Sequence, residues 1–376
     1  DTVSRFGGDE FTILCEDICG DDDLTTVAER ISSEMSAPFE VQGRRVFVTM
    51  SLGIAPSGDA GETPAELLRG ADAAMYFAKA AGRSRHAVFD PAMGIRAVKR
   101  LELEHSLRRA IEREELRLVY QPQVTLASGA IFGFEALLRW DDPDRGVIPP
   151  LDFIPLAEET GLIVPIGEWV LKEACHQARR WREDQPDEPV KVSVNLSVRQ
   201  LAERSLPSTV QRVLEETGVQ PEELWLEITE TALMEDPVAT FEALANLESL
   251  GVGLAIDDFG VGFSSLNRLR QLPPVEVIKI DKVFVDGLQT HPADRAIVAA
   301  AISLANALGA TTVAEGVETP EQATVLRDLG CELAQGYHFS RPKPPEDFRE
   351  LMAPGRRRSL SAACGVPRHQ RHTHPL

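Results

Sequence analysis

From residue 116 to about residue 353 the chain repeats one hydrophobic pattern. Short apolar runs of strand length alternate with longer stretches whose apolar positions recur at helical spacing. Strands are predicted at 116–121, 131–138, 190–196, 224–229, 253–257, 275–280, 311–315 and 332–337. Helices are predicted between most of them, at 168–182, 206–217, 238–250, 293–308 and 320–329.

The first 90 residues carry a different and shorter pattern. Arg5-Phe-Gly-Gly-Asp-Glu-Phe11 precedes the apolar run Thr12-Ile-Leu-Cys15, so a tight turn between two strands is expected there. A helix at 24–35, a strand at 46–54 and a second helix at 65–81 follow. Residues 91–115 read as a linker helix, with Val98, Leu101, Leu103, Leu107, Ala110 and Ile111 approximating one apolar stripe among many charges. After Ala353 the periodicity stops. Residues 354–376, with Arg356 to Arg358 and the histidines His369, His372 and His374, read as a disordered tail.

Eight strand candidates mostly joined by helices favour a closed α/β barrel of the TIM type, with a doubly wound open sheet as the alternative. Strand parity then locates the polar chemistry. Side chains alternate across a strand, so a polar residue between two apolar ones faces away from the helix-covered side. Glu135, Asn195, Glu227 and Lys279 are flanked in this way, while Asp257, Glu315 and Gln335 each follow an apolar residue. Each stands late in its predicted strand, so a closed barrel brings all seven to its C-terminal mouth. A lone carboxylate such as Glu135 in an apolar strand costs several kcal/mol unless the strand ends there or a cation compensates it, and Arg139 lies four residues on.

Composition narrows the chemistry. The net charge of −20 argues against a duplex nucleic-acid binder, because such affinity comes from Lys and Arg neutralising phosphates. An acidic protein can still take a phosphate diester if metal ions supply positive charge locally. Three Glu, the adjacent pair Asp257-Asp258 and Asn195 are hard oxygen donors suited to Mg²⁺ or Mn²⁺. Two such ions activate a water and stabilise a leaving oxygen in phosphoryl displacement. Lys279 and Arg139 offer complementary charge, as a point and as a planar fork. The glycine-bearing run from Phe259 to Ser265 reads as a loop beside the Asp pair, either a gate or a plain connection. Five cysteines, odd in number and without a CxxC pair, indicate neither a disulfide framework nor a zinc site and fit a reducing cytoplasm. No apolar run has the length of a membrane span, so any anchor is expected upstream of this sequence.

Two families are similar to this sequence. Residues 1–90, through Gly7-Gly-Asp-Glu10 and Ala74-Met-Tyr-Phe-Ala-Lys-Ala-Ala-Gly-Arg83, resemble the C-terminal half of GGDEF domains, the diguanylate cyclases. That family's metal-binding Asp and guanine contacts belong to elements before the turn. Cyclase activity is therefore not expected, and the fragment is expected to expose part of its core and fold poorly. Asp1 falls where the resemblance puts the Asp of the inhibitory RxxD site. Residues 98–353 resemble EAL-type cyclic di-GMP phosphodiesterases through Glu135-Ala-Leu-Leu-Arg139, Asn195-Leu-Ser197, Leu226-Glu-Ile-Thr-Glu230, Ile256-Asp-Asp-Phe-Gly260, Ile278-Lys-Ile-Asp281, Ala314-Glu-Gly-Val-Glu318 and Gln335-Gly-Tyr337.

The second resemblance implies metal-dependent hydrolysis of cyclic di-GMP to linear pGpG in a modified TIM barrel whose first strand is antiparallel, at residues 116–353. It implies metal-site roles for Glu135, Asn195, Glu227, Asp257, Asp258 and Glu315, and catalytic roles for Glu135, Lys279 and Glu318. Gln121, Leu138, Arg139 and Gln335 are implied to face the substrate. Phe259, Gly260, Gly262, Phe263 and Ser264 are implied to belong to a regulatory loop, similar to the family's loop that couples dimerisation to metal binding, with Val261 and Phe263 replacing the family's usual Thr and Tyr. A homodimer through the barrel and possible GTP binding by an intact GGDEF domain are also implied. The alternative function is a catalytically silent cyclic di-GMP receptor.

Overall fold

A computed structural model describes residues 1–16, 18, 20–41, 44–46, 48–80, 84–186, 188–235, 237–261 and 272–352. The chain divides into two units, 1–105 and 106–376. The predicted tail at 354–376, and Gly262, Phe263 and Ser264 of the predicted regulatory loop, lie outside the described residues.

In the first unit β1 (Thr2–Gly7) pairs antiparallel with β2 (Glu10–Leu14) across a Gly8-Asp9 turn. Gly8 has φ +55°, a conformation open to glycine without steric penalty, so the expected turn forms where the glycines stand. Val3, Phe6 and Phe11 of this hairpin are exposed, as expected of this segment. A helix at Asp21–Ser36 follows. The single strand expected at 46–54 is instead divided. Its start belongs to β4 (Arg44–Val46), which folds back antiparallel on β3 (Phe39–Val41). Its end is β5 (Leu52–Ile54), which runs parallel to β6 (His86–Val88). The two ends satisfy their backbone groups with different partners, an outcome that local β propensity does not encode. The helix Pro64–Ala80 packs so closely on β5 that a Cβ on Gly53 would lie 2.0 Å from the Ala71 carbonyl oxygen. A helix at Pro91–Ala110 then leads to the second unit.

In the second unit eight strands close on themselves. They are β7 (Leu116–Thr125), β8 (Ile131–Asp142), β10 (Lys191–Leu196), β11 (Leu224–Thr229), β12 (Gly253–Phe259), β13 (Val277–Ile280), β14 (Thr311–Ala314) and β15 (Leu333–Ala334). Their order is β10-β11-β12-β13-β14-β15-β7-β8, and β8 pairs parallel with β10 to complete the ring. Within this ring of eight described strands only β7 runs against its neighbours, antiparallel to both β8 and β15. The barrel is therefore a modified TIM barrel, and the open-sheet alternative is excluded. Three of the predicted helices appear as Ile163–Asp184, Leu206–Thr217 and Pro237–Glu248 on the way round. The last two appear as Pro292–Leu308 and Pro320–Asp328.

Strand alternation sorts the two faces as the parity argument requires. Phe134 is fully buried on the outer face of β8, its ring stacked at 4.3 Å on Trp181 of the helix Ile163–Asp184 and 4.9 Å from Phe348. Its neighbour Glu135 points the other way, into the barrel. One layer of the interior is closed by Trp225, Ala255, Val277, Val313 and Leu333, with Phe132 against them. Glu135 is not late in its strand, contrary to expectation. β8 continues seven residues further, to Asp142, because its outer end pairs antiparallel with a short extra strand, β9 (Gly146–Ile148).

Phe134 sits between a sheet and a helix with no room to relax, so Phe134→Ala is expected to destabilise the barrel by about 3–5 kcal/mol. All four tryptophans, Trp140, Trp169, Trp181 and Trp225, belong to the barrel unit, so urea denaturation followed by tryptophan fluorescence reads that unit alone. A loss under about 1 kcal/mol would show that the ring is not a core element.

Candidate active site

Polar residues from five strands, most of them at the strand ends, converge on one ammonium group. Lys279 on β13 is 1% exposed, and its Nζ lies 2.6 Å from Glu227 Oε2 on β11 and 2.6 Å from Glu315 Oε1 just after β14. The same nitrogen is 3.1 Å from Asp257 Oδ1 on β12 and 3.8 Å from Glu135 Oε2 on β8. The cation paired with Glu135 is therefore Lys279, five strands on in the chain, while Arg139 acts on it only as a weaker charge. The Arg139 guanidinium turns back to donate from Nη1 to its own neighbour's carbonyl, Leu138 O, at 2.8 Å, and is half-buried at the rim. Burial, then the adjacent Arg117 on β7, holds the Arg139 pKa below its ordinary value.

Around this centre the remaining polar residues form a connected hydrogen-bond set. Asn195 Nδ2 donates to Glu135 Oε1 at 2.7 Å. Gln335 Nε2 donates to Glu135 Oε2 at 2.5 Å and to Gln121 Oε1 at 3.0 Å, and Gln121 Nε2 in turn donates to Ser340 O at 3.0 Å. One ligand atom each from Asp257, Asp258 and Glu315 lies within 4.8 Å of the others, which is close enough for a single ion.

The charge balance is the physical point. Four carboxylates face one ammonium in a largely buried site, so the group carries an excess of negative charge that protons or cations must neutralise. Burial raises the Glu227 pKa well above its ordinary value, and it pushes Glu315 up to about 8, in both cases against the lowering effect of Lys279. Asp258 is pushed up to about 6 by burial, then by Asp257 and Asp281. Burial disfavours the Lys279 charge, yet Asp257, Glu135, Glu227 and Glu315 outweigh it and hold the ammonium protonated. Glu227 Oε1 is buried without a hydrogen-bond partner, an acceptor left for a ligand. Hard oxygen donors, excess negative charge and this orphan acceptor together fit a divalent cation.

Backbone geometry presents the Asp pair. Asp258 has φ +54°, unusual for a residue with a side chain, and its N–H is held by Asp257 Oδ1 at 2.9 Å. The left-handed turn breaks the alternation, so two successive carboxylates serve one locus where a regular strand would send them to opposite faces.

A family model described as EAL domain matches residues 104–342. The chain belongs to the EAL domain family. A second family model, diguanylate cyclase, GGDEF domain, matches residues 1–85. Over 353 residues the chain is 44% identical to the bifunctional diguanylate cyclase/cyclic di-GMP phosphodiesterase MucR of Pseudomonas aeruginosa, covering 94% of this chain and 51% of that protein. It is 37% identical over 346 residues to the cyclic di-GMP phosphodiesterase PdeR of Escherichia coli, covering 92% of this chain and 52% of that one. The chain thus spans about half the length of these curated relatives. Among solved structures, PaMucR phosphodiesterase in complex with c-di-GMP is 45% identical with a TM-score of 0.63, over 66% of this chain and 99% of that one.

The EAL barrel gathers Glu135, Asn195, Glu227, Asp257, Asp258, Lys279, Glu315, Gln335 and Gln121 at its mouth. Glu318, named with the catalytic set from sequence, is not brought to that cluster. Its carboxylate is exposed and paired with Lys282. Leu138 and Arg139 stand on the rim of β8, next to the cluster in sequence but bonded to each other. Phe259 ends β12, and Gly260 follows it at φ +100°.

Two positioning groups escaped the sequence reading. Glu230 is buried, accepts the Gly260 N–H on Oε2 at 2.9 Å and donates its own N–H to the Asp257 carbonyl at 3.0 Å, so it ties down the segment bearing the Asp pair. Asp281 accepts the Val283 N–H at 2.6 Å, capping the short helix Lys282–Asp286, and faces Asp258. Both stand in quoted motifs, three residues after Glu227 and two after Lys279, but past the strand end parity says nothing about them.

The raised carboxylates have a consequence for stability. Native Asp258 and Glu315 bind protons more tightly than their ordinary values of 3.8 and 4.5, so between about pH 4 and pH 8 these two groups hold more protons in the folded chain than in the unfolded one. In chelator, the melting temperature is therefore expected to fall as pH rises through this window, with a shallower slope in Glu315→Gln. Added Mg²⁺ is expected to stabilise more at pH 8 than at pH 5, because protons no longer compete. A slope unchanged by Glu315→Gln would show that this carboxyl is not the titrating group.

Proposed function

We propose that this chain hydrolyses cyclic di-GMP to linear 5′-pGpG, with Mg²⁺ or Mn²⁺ held in a two-metal site. The observation that carries this reading is the Lys279 ammonium set among Glu135, Glu227, Asp257 and Glu315 beside Asp258, at the C-terminal mouth of an EAL barrel. The similarity to proteins named as cyclic di-GMP phosphodiesterases supports it. Residues 1–90 are not proposed to act as a cyclase, and GTP binding is proposed only for an intact GGDEF domain. A homodimer formed through the barrel and a cytoplasmic location complete the proposal. Among the described residues no helix is long and apolar enough to cross a membrane.

Glu135, Asn195, Glu227, Asp257, Asp258 and Glu315 are the residues that would hold the ions. When bound, divalent cations there supply electrostatic stabilisation of the phosphodiester oxygens and lower the pKa of a water. The chain's own contribution is to arrange charge. Lys279 Nζ directs the attacking water, whose oxygen forms the new bond to phosphorus while the bond from phosphorus to the 3′ oxygen breaks. A cluster carboxylate takes the proton released by that water and passes it on to the departing 3′ oxygen, which leaves as the hydroxyl. Arg139 offers its guanidinium fork to a phosphate once the substrate displaces the bond to Leu138 O. Gln335 and Gln121 hold Glu135 in place, and Leu138 contributes apolar contact at the rim.

The test is chromatography of cyclic di-GMP incubated with the purified chain and Mn²⁺. Linear pGpG is the expected product, absent after chelation and reduced about 100-fold or more in Glu135→Ala, as for loss of a site-organising polar group. Nucleotide bound but unconverted under all conditions would replace the enzyme with a receptor.

A further inference from the structure

Glu318 and Lys282 form an ion pair outside the acidic cluster, and the way Lys282 is seated gives the pair a role. Lys282 follows Asp281 at the end of β13 as the first residue of the helix Lys282–Asp286. Its side chain crosses to the next strand end. The Cβ, Cγ and Cδ atoms of Lys282 fill the space where a side chain on Gly316 would stand, the nearest only 2.3 Å from a Cβ built there. Gly316 has φ +65°, so both the backbone turn and the empty space beside it require glycine. Beyond that turn the Lys282 ammonium meets Glu318 Oε1. The same turn is fixed from the other side, where the Glu318 N–H donates to Gln322 Oε1 at 2.8 Å. Lys282 is thus braced along its stem on the segment that begins with Glu315 and ends with Glu318.

We propose that Lys282 is a positioning residue for Glu318, clamping the 315–318 turn and so fixing the Glu318 carboxylate at the substrate side of the barrel rim. The inference rests on the phosphodiesterase reading above. An exposed ion pair is worth little to stability, at most about 1 kcal/mol, so a purely structural purpose explains the arrangement poorly. The hydrogen bond to Glu318 raises the Lys282 pKa above its ordinary value.

The experiment is a double-mutant cycle on the full chain, with steady-state hydrolysis of cyclic di-GMP as the readout. Lys282→Met is expected to lower kcat about 10-fold, as for other groups that orient a site residue, with KM changed less than about 2-fold and the melting temperature preserved. Glu318→Gln should cost at least as much. The double variant should be no slower than Glu318→Gln alone, because Lys282 acts only through Glu318. Lys282→Arg should recover most of the rate. Three results would overturn the role: full activity in Lys282→Met, losses that multiply in the double variant, or a raised KM with kcat intact. The last would make Lys282 a direct phosphate contact. An unmodified chain that yields no linear product would remove the phosphodiesterase reading itself, and this role with it.

Discussion

The buried ammonium of Lys279 is the interaction on which the site depends. Each of the four carboxylates around it would be costly to ionise alone in a largely buried site, and one cation makes their assembly tolerable without neutralising it. The shortfall of positive charge is a chemical property. Together with burial, which is the main cause of the upward shifts of Glu227 and Glu315, it favours protons in the metal-free chain and divalent cations in their presence.

The barrel makes that charge density possible. Parallel strands direct their C-terminal ends to one side, so residues separated by up to 180 positions, Glu135 and Glu315, meet at Lys279 without long side chains having to reach. The opposite face of each strand meets helices, and bulky rings such as Phe134 on Trp181 secure it. The hydrophobic surface thus holds the polar one rigid. Two departures from regular strand geometry matter as much: the left-handed residue Asp258 and the glycine turn at 316, each placing a carboxylate where ordinary alternation would not.

Around the cluster, the supporting groups divide by reach. Asn195 and Gln335 donate to Glu135, and Gln121 accepts from Gln335, all within the ring. Glu230 and Lys282 act from beyond the strand ends, on the Gly260 N–H and on Glu318. Loops that carry function on a rigid frame need such ties, because their own backbone bonds are few. A positioning set outside the ring can alter rate with little effect on stability.

Much of this was determined by the sequence alone. Period-two runs placed all eight barrel strands, and parity singled out Glu135, Asn195, Glu227, Asp257, Lys279, Glu315 and Gln335, because both signals are local consequences of how a strand projects its side chains. What lay outside that rule stayed hidden. The run from 46 to 54 divides between two partners, β8 extends to meet β9, and Lys279 rather than Arg139 pairs with Glu135. Glu318 stands with Lys282 and apart from the cluster. In each case the tertiary structure decided, since which strand an edge pairs with and which cation reaches a buried carboxylate depend on distances between segments remote in the chain.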